Sequence, residues 1–190
     1  MTVLRLQRLG SAPASRRMVR RPRSDYCTRM AQLLIVYHSR TGGSQQMAQA
    51  AFEGARGETE TYLKPADQAG PDDLLAADGY LFCAPENLAA ISGIMKDFFD
   101  RCYYPVLGRI EGRAYAQMVC AGSDGENAVR QIARIAQGWR LRPVQEPLIL
   151  CTHAQTPDAI LAPKTIPEEE LTQCRQIAQV LAAGLAMGMF

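Results

Sequence analysis

Six consecutive residues combine hydroxyl, basic and glycine side chains in a pattern that suits phosphate binding. They are Ser39, Arg40, Thr41, Gly42, Gly43 and Ser44. The hydroxyl groups can donate hydrogen bonds to phosphate oxygens, and the glycines let the backbone turn tightly and present its N–H groups. A helix that begins here adds partial positive charge. We therefore predict a phosphate-binding loop, with an ordinary strand-to-helix turn capped by Ser44 as the alternative.

Two later loops carry residues that suit a heteroaromatic ring beside that phosphate. The first contains Pro85, Glu86, Asn87 and Leu88, and the second contains Ala121, Gly122, Ser123 and Asp124. The first loop offers polar groups to a ring edge and an aliphatic group to a ring face, and the second lets backbone approach closely. A flavin needs this mixture, so we predict that the phosphate belongs to FMN. The alternatives are a polar loop capped by Ser92 and, for Asp124, a cap on the next helix.

Apolar runs that alternate with helical periodicity predict the elements that position these loops. Strands are expected over residues 33–37, 59–63, 79–84, 114–121 and 147–151. The first of these is continuously apolar, which is typical of a strand covered on both faces. Helices are expected over 45–56, near 91–102 and near 129–136. A last helix is expected to begin with a capping box of Thr165 and Glu168 and to bury Val180 on its apolar face.

The alternation of strands and helices predicts an α/β fold, a doubly wound five-stranded parallel sheet. The commonest order in small domains of this class, 2-1-3-4-5, places a switch point between strands 1 and 3. Ligands bind outside the carboxyl ends of the strands at such a point. The three candidate loops follow strands 1, 3 and 4, so the topology predicts that they meet there.

The charge divides the chain of 190 residues into two parts. Residues 1–30 hold eight arginines and one acidic residue, whereas residues 31–190 hold 13 basic and 18 acidic residues. We expect the first part to be a disordered basic extension and the second to be one folded, FMN-binding domain. Three interpretations of the extension stay open: a start codon assigned too early, with Met30 as the true first residue, a targeting segment, or a nucleic-acid-binding arm.

The cysteines and apolar runs exclude several other classes of protein. The six cysteines are far apart, with no CxxC and no cysteine–histidine pair at metal-ligand spacing. We therefore expect free thiols, no metal site and a cytoplasmic location. No apolar run is long enough to cross a bilayer. We expect no membrane span, and no nucleic-acid partner for the folded domain.

Two motifs carry a resemblance to a known family. Residues 39–44 resemble the S/T-x-T-G-x-T/S phosphate loop of flavodoxin-like proteins. Pro85-Glu86-Asn87, followed by Ser92-Gly93, Lys96 and Asp100, resembles the P-E-Y-N…S…G…K…D pattern of NADPH-dependent FMN reductases, which include WrbA-type NAD(P)H oxidoreductases. The likeness spans about residues 31–186. The aromatic residue that follows the glutamate in the family pattern is missing, and Tyr103 and Tyr104 are candidate substitutes.

The resemblance implies a flavodoxin-like fold, bound FMN and an activity. Residues 39–44 would hold the FMN phosphate, and residues 85–88 and 121–124 would flank its isoalloxazine ring. NADPH or NADH would give a hydride to the flavin, and a small-molecule acceptor such as a quinone or free flavin would take the electrons. Because the flavin carries the chemistry, no catalytic protein residue is expected. The family resemblance and the apolar tail over residues 185–190 also imply a homodimer or homotetramer.

Two other functions fit the same fold. One is a one-electron carrier of the flavodoxin type, and the other is a non-catalytic binding module. The absence of GxGxxG and GxxxxGK[ST] motifs counts against a Rossmann dehydrogenase and a P-loop NTPase. A receiver domain would need acidic residues after strand 1, and a low-molecular-weight tyrosine phosphatase would need Cys-x5-Arg there; neither is present.

Overall fold

The computed structural model describes residues 29–190, so most of the predicted N-terminal extension lies outside the described residues. The described part is built on one central sheet. Its strands are β1 (Gln32–Tyr37), β2 (Glu60–Pro65), β3 (Gly79–Asn87), β4 (Ala90–Ile91), β5 (Ala114–Ala121), β6 (Arg142–Pro143) and β7 (Leu148–Cys151). The four central residues of β1 are buried, which confirms that helices cover both faces of this strand.

The sheet has the predicted doubly wound order. Strands β2, β1, β3 and β5 lie side by side and parallel, and the next position is shared by two short segments. Strand β6 pairs with the start of β5, and β7 pairs with its end. The predicted fifth strand is therefore divided in two. The predicted order 2-1-3-4-5 is confirmed for its first four strands, which are β2, β1, β3 and β5 in the structure.

The described residues also form helices, most of which pack against the two faces of this sheet. They are α1 (Gly43–Ala55), α2 (Pro71–Ala76), α3 (Gly93–Val106), α4 (Glu126–Gly138), α5 (Pro157–Leu161) and α6 (Glu168–Ala186). Apolar side chains of α1 and α6 pack with one face of the sheet, and those of α2, α3 and α4 pack with the other. The core between the sheet and helices α2, α3 and α4 is aromatic at its centre. There Trp139 contacts Phe99 and donates its indole N–H to the Tyr103 carbonyl.

Three predicted details are wrong in the structure. The third strand continues to Asn87 and turns back through β4, where a loop was expected. The capping box of Thr165 does not form, because the last helix begins at Glu168. Pro167 disfavours helical backbone at Ile166, the residue before it, so the helix begins only after the proline. Val180, predicted to be buried, is exposed on that helix.

The contact between α1 and α6 depends on the absence of a side chain at Gly54. A Cβ atom at this position would overlap the backbone of Arg175 on α6. We expect Gly54→Ala to lower the free energy of unfolding by about 2 kcal/mol, because backbone must move to admit the methyl group. Gly57→Ala is the matched control, since a Cβ there would meet no atom of residues 29–190. Urea denaturation measures both; equal stability of the two variants would contradict this packing.

Candidate functional site

One cavity of about 480 Å³ lies at the carboxyl ends of β1, β3 and β5. It brings together twelve of the fourteen residues predicted to bind the cofactor. They are Ser39, Arg40, Thr41, Gly43, Ser44, Pro85, Glu86, Asn87, Leu88, Ala121, Gly122 and Ser123. The two that do not line it are Gly42 and Asp124. The three loops therefore meet where the topology predicted.

Gly42 shapes the first loop although it does not line the cavity. Its φ of 90° lies in the left-handed region, which favours glycine, and it forms the N-cap position of α1. Its N–H donates to Ser39 Oγ over 3.0 Å. Gly43 lets the loop approach the sheet, since a Cβ there would lie 2.6 Å from Cys120 Sγ on β5. The two glycines thus have separate roles, one in the turn and one in the close approach.

The start of α1 has the electrostatic character of an anion site. The first N–H groups of a helix have no partner within it, and they carry partial positive charge. No acidic side chain lies in the first turn of α1. Ser44 is buried there, and its Oγ has no hydrogen-bond partner among the residues that the structure describes. A phosphate at this position would neutralise the helix end and supply the partner that the hydroxyl group lacks.

The β3–β4 hairpin forms the second wall of the cavity. Its two-residue turn places Leu88 and Ala89 at φ of 51° and 53°, a conformation that favours glycine or asparagine. Helix α4 fixes this turn: Asn127 Nδ2 donates to the Ala89 carbonyl, and Gln131 Oε1 accepts from the N–H of Ile91. The hairpin is therefore a rigid projection at the cavity rim.

Glu86 connects this hairpin to the third loop. Its Oε2 accepts from the N–H of Gly125 over 2.8 Å, and its buried Oε1 has no partner within the described part of the chain. Gly125 has a φ of 90° and forms the N-cap position of α4. Asp124 Oδ1 accepts from the N–H of Glu126, the first residue of that helix. Asp124 thus lies one residue before the N-cap of the helix, so it binds the first helical N–H without being the N-cap residue.

A segment that sequence reasoning did not assign to the site completes the cavity. It follows β7 and contributes Thr152, Ala154, Gln155, Ile160, Leu161 and Lys164. The Lys164 N–H donates to the Thr41 carbonyl over 2.7 Å. Gln46 also holds the segment, because its Nε2 donates to the Lys164 carbonyl and its Oε1 accepts from the N–H of Ile166. Thr156-Pro157, an N-cap followed by proline, is the sequence signal that could have revealed helix α5.

Burial shifts the pKa of two titratable side chains in or beside the cavity. Burial lowers the pKa of His38, whose Nδ1 lies 2.9 Å from Ser92 Oγ. This pair joins the end of β1 to the start of α3. Burial also raises the pKa of the Cys120 thiol to about 11, so the thiol is protonated at neutral pH. Within residues 29–190 no group of three or more cysteine, histidine or acidic side chains could hold a metal ion.

The predicted aromatic substitutes lie elsewhere. Tyr103 and Tyr104 belong to α3 and do not line the cavity. Tyr103 stacks on Trp139, and Tyr104 is exposed. Across the part of the chain that the structure describes, none of the residues that line this cavity is aromatic. In the same described residues, no helix is long and apolar enough to cross a membrane.

A family model described as NADPH-dependent FMN reductase matches residues 45–156, more than half of the chain. The chain belongs to this family. The resemblance of residues 85–100 to the motif of that reductase family is therefore confirmed, as is membership of an oxidoreductase family of flavoproteins. The match begins directly after the phosphate loop and ends in the segment that completes the cavity.

Two relatives and one solved structure are similar to this chain. A flavodoxin of Aquifex aeolicus is 32% identical over 165 residues, which cover 83% of this chain and 89% of that protein. An NAD(P)H dehydrogenase (quinone) of Acidithiobacillus ferrooxidans is 35% identical over 94 residues, 38% of this chain and 47% of that protein. The structure of a flavodoxin, WrbA-like protein from Agrobacterium tumefaciens superposes with a TM-score of 0.63 at 19% identity, covering 83% of this chain and 98% of that one. This last likeness confirms the flavodoxin-like fold.

Proposed function

We propose that the chain is an FMN-dependent NAD(P)H oxidoreductase that reduces a small-molecule acceptor such as a quinone or free flavin. The observation that carries this proposal is the meeting of the three predicted loops around one cavity. NAD(P)H and one proton would reduce one quinone to its hydroquinone, with release of NAD(P)⁺. FMN, when bound, would supply the centre that takes up and passes on the two electrons.

The residues present fit FMN. The hydroxyl groups of Ser39, Thr41 and Ser44 and the first N–H groups of α1 would hold its phosphate. Pro85 to Leu88 and Ala121 to Ser123 would flank the ring with polar backbone and small or aliphatic side chains. We do not include Asp124 among the residues that flank the ring, because its carboxylate binds the N–H of Glu126 at the start of α4.

The lining of the cavity favours a reductase over a one-electron carrier. Carriers typically surround the flavin with aromatic and acidic side chains. Here Glu86 is the only acidic residue among those of the described chain that line the cavity, and none is aromatic. An uncovered ring face would leave room for a nicotinamide ring. The carrier remains the second candidate because the Aquifex aeolicus relative is named a flavodoxin.

Anaerobic titration of the FMN-loaded protein separates these two functions. A reductase is bleached directly by NADPH or NADH, because a hydride reaches the flavin. We expect complete bleaching by one of the two nucleotides at one equivalent. If neither nucleotide reacts and dithionite produces a blue semiquinone, the chain is a carrier. If the protein retains no flavin absorbance after desalting, both flavin functions are wrong.

Removal of the Ser44 hydroxyl tests the phosphate position. Ser44→Ala deletes a buried polar atom that has no partner among residues 29–190, so the free protein should keep or slightly gain stability. We expect FMN to bind about tenfold more weakly, because a hydrogen bond to a charged phosphate is lost. Riboflavin, which lacks the phosphate, is the internal control and should bind the variant and the natural chain equally. Equal weakening of both ligands would place the phosphate elsewhere.

We also infer that the chain forms a homodimer or homotetramer. Met187 and Met189 at the end of the chain are exposed, and Phe190 is only partly covered by the contact of its ring with the Arg142 guanidinium group. A second copy would cover these apolar groups. Light scattering should give a multiple of the chain mass of 20.9 kDa. A monomer with full activity would contradict this inference.

A further inference from the structure

Three aliphatic side chains stand exposed around the mouth of the cavity. Leu88 is fully exposed at the tip of the β3–β4 hairpin, and Ile160 and Leu161 on helix α5 are 50% and 61% exposed. All three line the same cavity. We call this group the apolar rim. Exposed aliphatic groups that surround a cavity indicate contact with an apolar ligand.

The conformation of the hairpin keeps Leu88 in this position. Left-handed backbone is unfavourable for leucine and alanine, and two such residues in succession form the turn. The hydrogen bond from Asn127 to the Ala89 carbonyl and the bond from Ile91 to Gln131 hold the hairpin against α4. Strained backbone that neighbouring elements maintain is a common feature of ligand-binding sites. The leucine is thus held out in solvent at the edge of the cavity.

Helix α5 presents the other two members without burying any of its residues. Thr156 Oγ1 accepts from the N–H of Ala159 at its start. At its end, Lys164 Nζ donates to the carbonyls of Ala159, Ile160 and Ala162 at 2.6, 3.0 and 2.7 Å. These bonds occupy the ammonium group, which would otherwise offer an anion a partner beside Ile160 and Leu161.

Three charged side chains of the described residues line the cavity: Arg40, Glu86 and Lys164. Arg40 belongs to the phosphate loop, and the Glu86 carboxylate accepts from the N–H of Gly125. With Lys164 bonded within its own segment, and with Arg40 in the loop that would hold the FMN phosphate, the mouth offers mainly aliphatic surface to an incoming molecule. A neutral, flat, apolar molecule would gain contact there, whereas an anion would lose hydration without compensation.

We propose that the apolar rim determines acceptor specificity, selecting neutral apolar quinones over anionic acceptors. This inference rests on the proposed oxidoreductase function and names the class of acceptor and the residues that choose it. Leu88 contacts the acceptor from the hairpin side, and Ile160 and Leu161 contact it from the α5 side. The selection is made in binding and precedes electron transfer.

Equilibrium dialysis of the oxidised, FMN-loaded protein tests this without turnover. The probes are 2-methyl-1,4-naphthoquinone and 1,4-naphthoquinone-2-sulfonate, which share a ring system and differ in charge. The natural chain should bind the neutral quinone at least about tenfold more tightly. The double variant I160S/L161S should lose most of this preference. Leu88→Asn should reduce it as well, and asparagine suits the left-handed backbone at that position.

The matched control is Val180→Ser, which removes an exposed aliphatic side chain on α6 outside the cavity. This variant should keep the full preference. If I160S/L161S and Leu88→Asn both keep it too, the rim does not select the acceptor, and the proposal is wrong while the oxidoreductase function stands. Flavin absorbance after desalting is recorded first; a chain that retains no FMN overturns the function and the rim together.

Discussion

The close approach of the α1 N-terminus to strand β5 is the constraint on which the rest of the site depends. Gly43 lies against Cys120, and no larger residue fits at this position without displacing that side chain. The approach directs the first N–H groups of α1 toward the cavity between β1 and β5. It also lets Thr41 and Gln46 hold the segment that carries α5. The contact of Gly43 with the Cys120 side chain thus fixes the phosphate loop and one wall of the cavity together.

Much of this arrangement was predictable because it depends on patterns local in sequence. The apolar run of β1 and the glycines after it predicted a buried strand and a tight, phosphate-binding turn, and parallel topology predicted that three loops would meet. The hairpin after β3 was missed, since Leu88 and Ala89 are not residues that favour its turn. The start of α6 was misplaced because the effect of Pro167 on Ile166 outweighs a capping-box pattern.

The segment after β7 could not be assigned to the site from sequence, because its position is set by long-range contacts. Gln46 is separated from Lys164 by 118 positions, yet its amide group bonds that residue and Ile166. Nothing in the local pattern around Gln46 indicates this role. The proposed phosphate-binding loop can therefore be predicted from a short motif, whereas the position of the segment after β7 depends on tertiary packing. This difference explains why the sequence predicted the family but not this wall of the cavity.

We infer that the cavity at the carboxyl ends of β1, β3 and β5 holds FMN by its phosphate. A crystal structure of the chain grown with FMN tests this inference. We expect phosphate oxygens within about 3 Å of Ser44 Oγ and of the first N–H groups of α1. We also expect the ring to lie between the β3–β4 hairpin and the loop after β5. A flavin bound elsewhere, or one whose phosphate points away from residues 39–44 into solvent, would contradict it.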